Sequence, residues 1–402
     1  MFGPLLRSII REGALVVRGP HGETYAVGGV SEADAPLIVV IHDHATLARI
    51  ARHPGLAVGE AYMDGGLTID RGSLYDFLAL ATRNLRHLPQ RRGLFGLGAR
   101  RPVNARDAAR RNAAHHYDLS GDLYALFLDA DRQYSCAYFP EPGMSLEQAQ
   151  AAKKRHLAAK LLLAPGQRVL DIGCGWGGLA MTLAGEYGVD VTGVTLSTEQ
   201  LDEARKRVSR HGLYDRVRFE LRDYRDIAGS FDRIVSVGMF EHVGPAHYQR
   251  FFDTVAGLLD ARGVALLHTI GRSDGPSGGN AWIEKYIFPG GTIPALSQIA
   301  EPLERSGLIL TDVEVLRLHY ADTLREWSKR FAANRERVRA LYDESFCRMW
   351  EFYLAGAEAG FREGALVVFQ LQMAKNSDVV PRTRDYITQL DHARYGARFA
   401  AE

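Results

Sequence analysis

The sequence has only three cysteines, Cys136, Cys174 and Cys347, among its 402 residues. Few and widely separated cysteines are typical of reduced thiols in a cytoplasmic protein rather than of a disulfide framework. No Cys-x-x-Cys or paired Cys/His spacing indicates a metal site. No apolar run approaches the ~18 residues that span a membrane. The first residues, with charges at Arg7 and Arg11, do not resemble a signal peptide.

The net charge is only +1, so the whole-chain charge indicates neither nucleic-acid binding nor membrane binding. The arginines are unevenly distributed, however. Between Arg83 and Arg111 there are nine arginines and a single acidic residue, Asp107. We predict a linker over residues 83–112 and leave two interpretations open: a solvated connector, or a basic, partly apolar strip that contacts an anionic lipid surface.

The hydrophobic patterning predicts two domains. Residues 1–82 have the pattern of a small α/β domain, with a hairpin at 13–29, a strand at 35–43 and a helix that begins in 44–65. From about residue 146 strands alternate with helices, which predicts a doubly wound, mainly parallel sheet with functional residues at its strand ends. The predicted strands are 168–172, 189–195, 216–221, 232–238 and 263–270, with two further candidates in 312–320 and 365–375; the predicted helices include 198–211 and 245–259.

A glycine-rich turn, "VLDIGCGWGG" (169–178), follows the first of these strands and contains Gly173, Gly175 and Gly177. Such a turn lets backbone N–H groups approach a ligand. The next strand ends in "GVTLSTEQ" without the acidic residue of a dinucleotide site, and no Lys-Ser/Thr completes a phosphate-binding loop. The pattern Asp171-x-Gly-x-Gly resembles instead that of doubly wound S-adenosylmethionine (SAM) enzymes. Cys174, inside the turn, is interpreted as a packing residue.

Several motifs in sequence order make the resemblance more specific. They are "HYDLSGDLYALFLDADRQYSCAYF" (116–139), the glycine turn, "GVTLSTEQ", "SVGMFEHVG" (236–244), "HTIG" (268–271) and "WIEKYIFPGGTIP" (282–294). Together they resemble the cyclopropane-fatty-acyl-phospholipid synthases and their relatives, the mycolic acid cyclopropane synthases. The resemblance implies a seven-stranded, Rossmann-like class I SAM methyltransferase domain over 113–402 with an acyl-chain pocket. It also implies that domain 1–82 serves lipid docking or dimer contact.

In that family a methylene from SAM is added across a cis double bond of an unsaturated phospholipid acyl chain. An alkene is a weak nucleophile, so the methyl donor must be held in line in a dry pocket, and a base must then remove a proton from a carbocation. The resemblance implies that the base is a bound bicarbonate ion. The positions that match its binding cluster are Cys136, Glu241, His268, Ile270 (through its backbone) and Tyr320. Each alone could be a packing residue, but the complete set favours catalysis.

The resemblance also implies a set of residues that bind SAM. Tyr134 and Ser135 would lie near its methionine end, above Gly173 and Gly175 of the Asp171 motif. The remaining positions are Thr195 and Gln200 on the ribose side, and Asp223 and Tyr224 beside the adenine. Four aromatic residues near the motifs are predicted to line an acyl pocket rather than to form a cation cage: Tyr138, Phe139, Phe240 and Tyr286.

Two alternatives remain open at this point. The same scaffold could resolve the cation into a methylene- or methyl-branched chain, or the protein could be a non-catalytic lipid-binding protein. As partners, the resemblance implies a phospholipid with an unsaturated acyl chain, a membrane surface and a second copy of the chain, with no nucleic acid. We therefore expect a cytoplasmic protein peripherally associated with the inner face of the membrane.

Overall fold

The computed structural model describes residues 2–29, 36–85 and 121–390. Its strands are β1 (Ala14–Arg18), β2 (Thr24–Gly28), β3 (Leu37–Ile41), β4 (Leu67–Arg71), β5 (Arg168–Ile172), β6 (Asp190–Thr195), β7 (Val217–Leu221), β8 (Phe231–Val237), β9 (Leu259–Arg272), β10 (Ile309–Leu316) and β11 (Leu366–Ala374). Its α-helices are α1 (Phe2–Ile9), α2 (His44–Arg52), α3 (Pro54–Met63), α4 (Leu74–Leu85), α5 (Gly121–Phe127), α6 (Leu146–Leu161), α7 (Gly178–Tyr187), α8 (Thr198–Arg210), α9 (Tyr248–Leu258), α10 (Ala281–Tyr286), α11 (Leu296–Arg305), α12 (Leu318–Ala333), α13 (Arg335–Leu341) and α14 (Glu344–Arg362). Short 3₁₀ turns span Tyr224–Asp226, Phe240–His242, Pro245–His247 and Ser377–Val379.

The chain divides into two compact units whose boundaries differ from the predicted domains. One unit comprises Met1–Arg100, Ser277–Pro289 and Ala321–Leu366; the other comprises Arg101–Pro276, Gly290–Tyr320 and Val367–Glu402. The two later segments join the N-terminal residues because α14 packs against α3 and α4, and α10 packs against α3. The predicted linker 83–112 lies, beyond residue 85, outside the described residues. Its role, and that of the predicted functional domains 1–82 and 113–402, stays a prediction.

In the first unit a four-stranded sheet has the order β2-β1-β3-β4. β1 and β2 form the predicted antiparallel hairpin, and β3, also predicted, lies parallel to β1. The helical segment predicted from residue 44 is two helices, because Pro54 begins α3 and cannot donate the backbone hydrogen bond that would continue α2. β4 was not among the predicted strands.

The second unit contains the predicted sheet, with seven strands in the order β10-β11-β9-β8-β5-β6-β7. Strands β5 to β9 pair in parallel, whereas β10 and β11 pair antiparallel. The central strands are mainly apolar because both faces of the sheet are covered by helices, and β5 is buried from Val169 to Ile172. The chain runs from β5 outward to β7 and then returns to β8 on the other side of β5. This change of direction places a ligand-binding crevice at the carboxyl ends of β5 and β8.

Two predicted element boundaries needed correction near the C-terminal half. The strand predicted in 312–320 ends at Leu316, and α12 begins at Leu318, so Tyr320 lies in the first turn of a helix. The helix predicted at 245–259 begins as a 3₁₀ turn over Pro245–His247 before α9. In the part of the chain that is described, no helix combines the length and apolar character needed to cross a membrane.

Candidate active site

The glycine turn joins β5 to α7 at the crevice. Gly173 has φ +83°, and a Cβ built on it would lie 2.9 Å from the Cβ of Met239. The amides of Gly173 and Cys174 both donate to the carbonyl of Val194 (2.9 and 3.0 Å), which fixes the turn against β6. Gly175 has φ +53°, and a Cβ there would meet no atom within 4 Å. The turn is therefore rigid at its base and open at Gly175, where a ligand can approach the backbone closely.

Two side chains of the turn region differ in character. Cys174 is buried in the apolar cluster beside β6, and burial raises the pKa of its thiol well above the ordinary value, as expected of a packing residue. Asp171 is also buried, but its Oδ2 has no hydrogen-bond partner among the described residues. Burial raises the pKa of Asp171 to about 7, and the charge of Lys153 acts in the opposite direction. A ligand with a hydrogen-bond donor would satisfy Oδ2 of Asp171.

The end of β6 carries a small network of neutral side chains. The hydroxyl of Thr195 donates to Gln200 Oε1 (2.9 Å) and accepts from the amide of Ser197 (3.1 Å). Ser197 caps α8 by accepting from the amide of Gln200 (3.3 Å). This network fixes the side-chain oxygen of Gln200 toward Thr195. Among the described residues its amide nitrogen has no acceptor, so it can donate to a ligand hydroxyl.

The side chains that follow β7, Asp223 and Tyr224, have more contacts within the protein than the sequence indicates. Both carboxylate oxygens of Asp223 accept from the guanidinium of Arg225, at 2.8 and 2.5 Å, and this ion pair is buried. The ring of Tyr224 packs edge-on against Phe251, with centroids 5.6 Å apart. Burial raises the pKa of Tyr224 to about 12. Any adenine contact of Asp223 would therefore have to be shared with Arg225, and the predicted roles of Asp223 and Tyr224 stay predictions.

The segment that carries Tyr134, Ser135 and Cys136 lies over the end of β8. A Cβ on Gly238 would be 3.9 Å from Ser135 Cβ. Tyr134 packs against aromatic rings of α5, edge-on to Tyr124 with centroids 5.2 Å apart. Cys136 is fully buried, and its thiol donates to the carbonyl of Ala137 (3.2 Å).

Two side chains of α6 that were not among the predicted site residues hold this segment by hydrogen bonds. Gln150 donates to the carbonyls of Gln133 (3.2 Å) and Ser135 (2.9 Å). Lys153 donates to Gln133 Oε1 (2.6 Å) and Ser135 Oγ (2.9 Å). The fixed position of Ser135 and its neighbours thus depends on hydrogen bonds from one helix turn.

Glu241 follows β8 in the short turn Phe240–His242 and is directly bound to Ile270. The amide of Ile270 donates to Glu241 Oε1 (2.6 Å), while Oε2 is buried without a hydrogen-bond partner among the described residues. Thr269 is close enough to lower the pKa of this carboxyl, but its hydroxyl donates to the carbonyl of Ile270 (3.1 Å), not to Oε2. Burial raises the pKa of Glu241 to about 7, and the Ile270 amide opposes that shift. An ionised Glu241 can therefore accept an O–H hydrogen bond from a bound ligand.

Ile270 thus has a different contact from the one that the resemblance implies. Its amide is already used by Glu241, and its carbonyl accepts from Thr269. Direct contact of this backbone with bicarbonate stays a prediction; the structure shows Ile270 fixing the orientation of Glu241.

His268 lies on β9 beside the end of β8. Its carbonyl accepts from the amide of Gly238 (2.9 Å), three residues before Glu241. Its Nδ1 lies 3.1 Å from Gln370 Nε2, and with the amide in this orientation Nδ1 accepts, since an amide nitrogen can only donate. Burial, followed by the charge of Lys153, lowers the pKa of His268 well below the ordinary value, so the ring is neutral. A neutral ring that accepts at Nδ1 carries its proton on Nε2, which makes Nε2 a hydrogen-bond donor.

Tyr320 is linked to the Cys136 segment through its neighbour His319. The amide of Phe139 donates to His319 Nδ1 (3.1 Å). Tyr320 itself is buried. The structure therefore ties the segments of Cys136 and Tyr320 together by a direct bond. Whether Tyr320 touches the same ligand as Glu241 and His268 stays a prediction.

The aromatic residues predicted for an acyl pocket do not behave alike. Phe240 is fully buried and stacks on Tyr248 (centroids 4.3 Å apart), so it is a core residue rather than a pocket wall. Tyr138 stacks on His156 at 4.2 Å, which covers one of its faces. Tyr286 belongs to the other unit, where its hydroxyl donates to Glu60 (2.9 Å). The described residues contain no cluster of His, Cys, Asp or Glu side chains that could hold a metal ion.

The open space at Gly175 leads to a testable prediction. We expect Gly175→Ala to weaken binding of S-adenosylhomocysteine at least about tenfold, because the new methyl group occupies the space that a ligand needs. Gly212 is the matched control, since it has φ +66°, also has no atom within 4 Å of a built Cβ, and lies in an exposed turn away from the site. Both variants should lower Tm similarly through left-handed strain of roughly 1–2 kcal/mol. Equal ligand affinity of the two variants in calorimetric titrations would contradict this role of Gly175.

Comparison with known proteins shows what the chain is similar to. The sequence profile of one family, described as mycolic acid cyclopropane synthetase, matches residues 104–371. A probable fatty acid methyltransferase of Pseudomonas putida is 40% identical over 85% of this chain and 88% of its own length. A cyclopropane-fatty-acyl-phospholipid synthase of Escherichia coli K12 is 39% identical over the same shares. Among solved structures, a mycolic acid cyclopropane synthase complexed with SAH and CTAB has TM-score 0.63 and 37% identity, covering 66% of this chain and 97% of its own.

Proposed function

The chain belongs to the mycolic acid cyclopropane synthetase family, and from this premise we propose that it is a cyclopropane-fatty-acyl-phospholipid synthase. It is a SAM-dependent methyltransferase that acts on lipid acyl chains. The proposal adds the substrate and the product: the cis double bond of an unsaturated phospholipid acyl chain, and a cyclopropane ring. The observation that carries it is a half-satisfied Glu241 carboxyl just after β8, together with a neutral His268 on β9 beside the end of β8.

The residues at the glycine turn fit SAM, which when bound supplies an electrophilic methyl group. Gly175 leaves room for the ligand, and the unpartnered Oδ2 of Asp171 offers an acceptor. The amide nitrogen of Gln200 offers a donor where many cofactor sites use an acid. Ser135, held by Lys153, offers a hydroxyl. Together these groups offer both hydrogen-bond donors and an acceptor, as a zwitterionic ligand with hydroxyl groups requires.

The base cluster fits bicarbonate, which when bound supplies a proton acceptor next to the acyl chain. Glu241 Oε2 can accept the O–H of that ion, and His268 Nε2–H can donate to one of its charged oxygens. Cys136 and Tyr320 are proposed to donate further hydrogen bonds. Burial of Glu241 and His268 excludes water, which strengthens these hydrogen bonds and protects a cation on the acyl chain until a proton is lost and the ring closes.

A second product class is supported by the relative from Pseudomonas putida, whose name is fatty acid methyltransferase and whose identity is equal to that of the synthase within one percentage point. In that class a hydride shift moves the cation to the carbon that carries the new methyl group. Loss of a proton from the methyl group then gives a methylene branch, and loss of a proton from a neighbouring chain carbon gives a methyl branch beside a double bond. The base cluster does not separate the two outcomes, because both need a base.

The deciding experiment incubates the purified full chain with SAM and vesicles of cis-unsaturated phospholipid, and analyses the extracted chains. Mass spectrometry detects one added methylene unit, and NMR distinguishes a ring from an exocyclic methylene of equal mass. We expect a cyclopropane product and a rate that falls when bicarbonate is removed and recovers when it is restored. An exocyclic methylene signal would establish the second class. Absence of SAM consumption would favour a non-catalytic lipid-binding protein.

Substrate access requires contact with a bilayer, because the double bond lies in its hydrocarbon core. We propose that the basic segment 83–112 and the N-terminal residues bind the anionic inner face of the membrane, and that the protein is a homodimer. Sedimentation with anionic vesicles tests the first point, with Arg91→Glu/Arg92→Glu as the variant; unchanged binding of this variant would count against the segment. Light scattering tests the second point.

A further inference from the structure

Lys153 is a fully buried lysine without a counter-ion. Its Nζ donates to two neutral groups, Gln133 Oε1 (2.6 Å) and Ser135 Oγ (2.9 Å), and no carboxylate of the described residues forms an ion pair with it. Lys160, two helical turns later, is equally buried but pairs with Glu314 at 2.5 Å. Burying an ammonium group is costly unless it is compensated by an opposite charge. The charges of Asp129 and Asp131 act on Lys153 from a longer distance, so among the described residues its ammonium group has no directly bonded anion.

Ser135 is the group through which this charge can reach a ligand. Its hydroxyl oxygen accepts from Lys153, and among the described residues the hydroxyl proton has no acceptor. A hydroxyl that accepts from an ammonium group is polarised and becomes a stronger donor. Ser135 also lies beside Gly238 at the end of β8, at the edge of the crevice. The free donor is thus directed by Lys153 and lies where the cofactor is proposed to bind.

We propose that Lys153 is a positioning residue that fixes and polarises the Ser135 hydroxyl as a donor to the carboxylate of the cofactor's methionine moiety. The proposal rests on the SAM-dependent function. The ammonium supplies the missing positive partner for that carboxylate, while Gln150 holds the backbone of Ser135 from one helical turn away (2.9 Å). The charge of Lys153 also lowers the pKa of both Asp171 and His268, so it acts on a residue of each predicted cluster.

The test uses two ligands that differ only in the amino-acid part: S-adenosylhomocysteine, which has the carboxylate, and 5′-methylthioadenosine, which lacks it. In titration calorimetry on the full chain, Lys153→Met should raise Kd for S-adenosylhomocysteine about 10- to 100-fold, as for a lost charge-assisted hydrogen bond. Kd for 5′-methylthioadenosine should stay within about twofold. Ser135→Ala should reproduce this pattern, and the double variant should show no further loss.

Lys154→Met is the matched control, since Lys154 is the next residue and its ammonium pairs with Asp131 at 2.5 Å. It should leave both affinities unchanged. Equal weakening of both ligands by Lys153→Met would overturn the proposal and indicate a structural role. Unchanged affinity for S-adenosylhomocysteine, with a shifted bicarbonate dependence of turnover, would overturn it in favour of bicarbonate as the anion. If Lys153→Met does not fold, Ser135→Ala alone decides by the same two ligands. Failure of the unmodified protein to bind S-adenosylhomocysteine would instead contradict the SAM-dependent function.

Discussion

Replacing Glu241 with glutamine should lower kcat about 10²- to 10⁴-fold while leaving the affinity for S-adenosylhomocysteine within about twofold. The side chains have the same shape, and glutamine keeps an oxygen that can accept from the Ile270 amide. What is lost is the acceptor at Oε2, which has no partner within the described chain and is proposed to accept the O–H of bicarbonate. The measurement is turnover on unsaturated phospholipid vesicles together with calorimetric titration of the ligand.

The pH profile separates two roles for Glu241. Because burial raises the pKa of Glu241 to about 7, its ionised fraction increases through neutral pH, and kcat should rise with pH through about 7 in the native protein. That rise should disappear in Glu241→Gln. If the variant keeps activity within about tenfold, Glu241 acts as a neutral donor, since glutamine retains an N–H at that position.

The raised pKa of Glu241 should also make the stability of the folded protein depend on pH. A carboxyl whose pKa is raised by folding favours the folded state while it is protonated, and this contribution is lost as the pH rises from about 4.5 through 7. Glutamine does not titrate. The Tm of Glu241→Gln relative to the native protein should therefore increase between pH 5 and pH 8. The corresponding difference in the free energy of unfolding has a limit of about 3 kcal/mol.

The catalytic sheet could be predicted from sequence because its strands are short apolar segments separated by helices. The segments at 168–172 and 232–238 became β5 and β8, and the glycine turn after β5 lies at the point where the strand order reverses. Parallel strands bring their carboxyl ends to one edge, so sequence alone also placed Glu241 and His268 close together. The hydrogen bond from the Gly238 amide to the His268 carbonyl places their segments side by side, and a joint role of Glu241 and His268 in one site stays a prediction.

The supporting residues could not be predicted, because their role depends on helix rotation and on buried neighbours. Lys153 and Lys154 are adjacent and identical in sequence, yet one is fully buried and the other pairs with an aspartate near the surface. The available signal was the spacing of Gln150, Lys153, Leu157 and Lys160 at helical intervals, which marks one buried face of α6. Polar residues at such positions normally face solvent, so the spacing alone predicts no functional role.

Gln370 illustrates the same limit on a strand. It lies within the apolar strand β11, where the sequence predicts only packing, and its Oε1 has no partner among the described residues. Its side-chain amide nevertheless contacts Nδ1 of His268, and the orientation of that amide decides which ring nitrogen carries the proton. A chemical property of a predicted site residue is thus set by a residue about a hundred positions away.

The second large effect that we expect is a loss of kcat when the hydrogen-bond donor at Nε2 of His268 is removed. Glutamine places its amide nitrogen near the position of Nε2, whereas asparagine places it near Nδ1. We therefore expect His268→Asn to lower kcat about 10²- to 10³-fold, the usual loss when a donor to a charged oxygen is removed. His268→Gln should retain activity within about tenfold. Turnover of both variants on the same vesicles, at equal SAM saturation, makes the comparison.

Two further measurements determine whether the difference in kcat between His268→Asn and His268→Gln arises from hydrogen-bond donation by Nε2. Gln370→Met removes the group that donates to Nδ1 but keeps the imidazole, and it should lower kcat about tenfold by leaving the buried nitrogen unpaired. Since the pKa of His268 is lowered well below its ordinary value, the activity of His268→Gln should show the same pH dependence above pH 6 as the native protein. Equal losses in the asparagine and glutamine variants would contradict donation from Nε2, because only that assignment makes the two amides unequal.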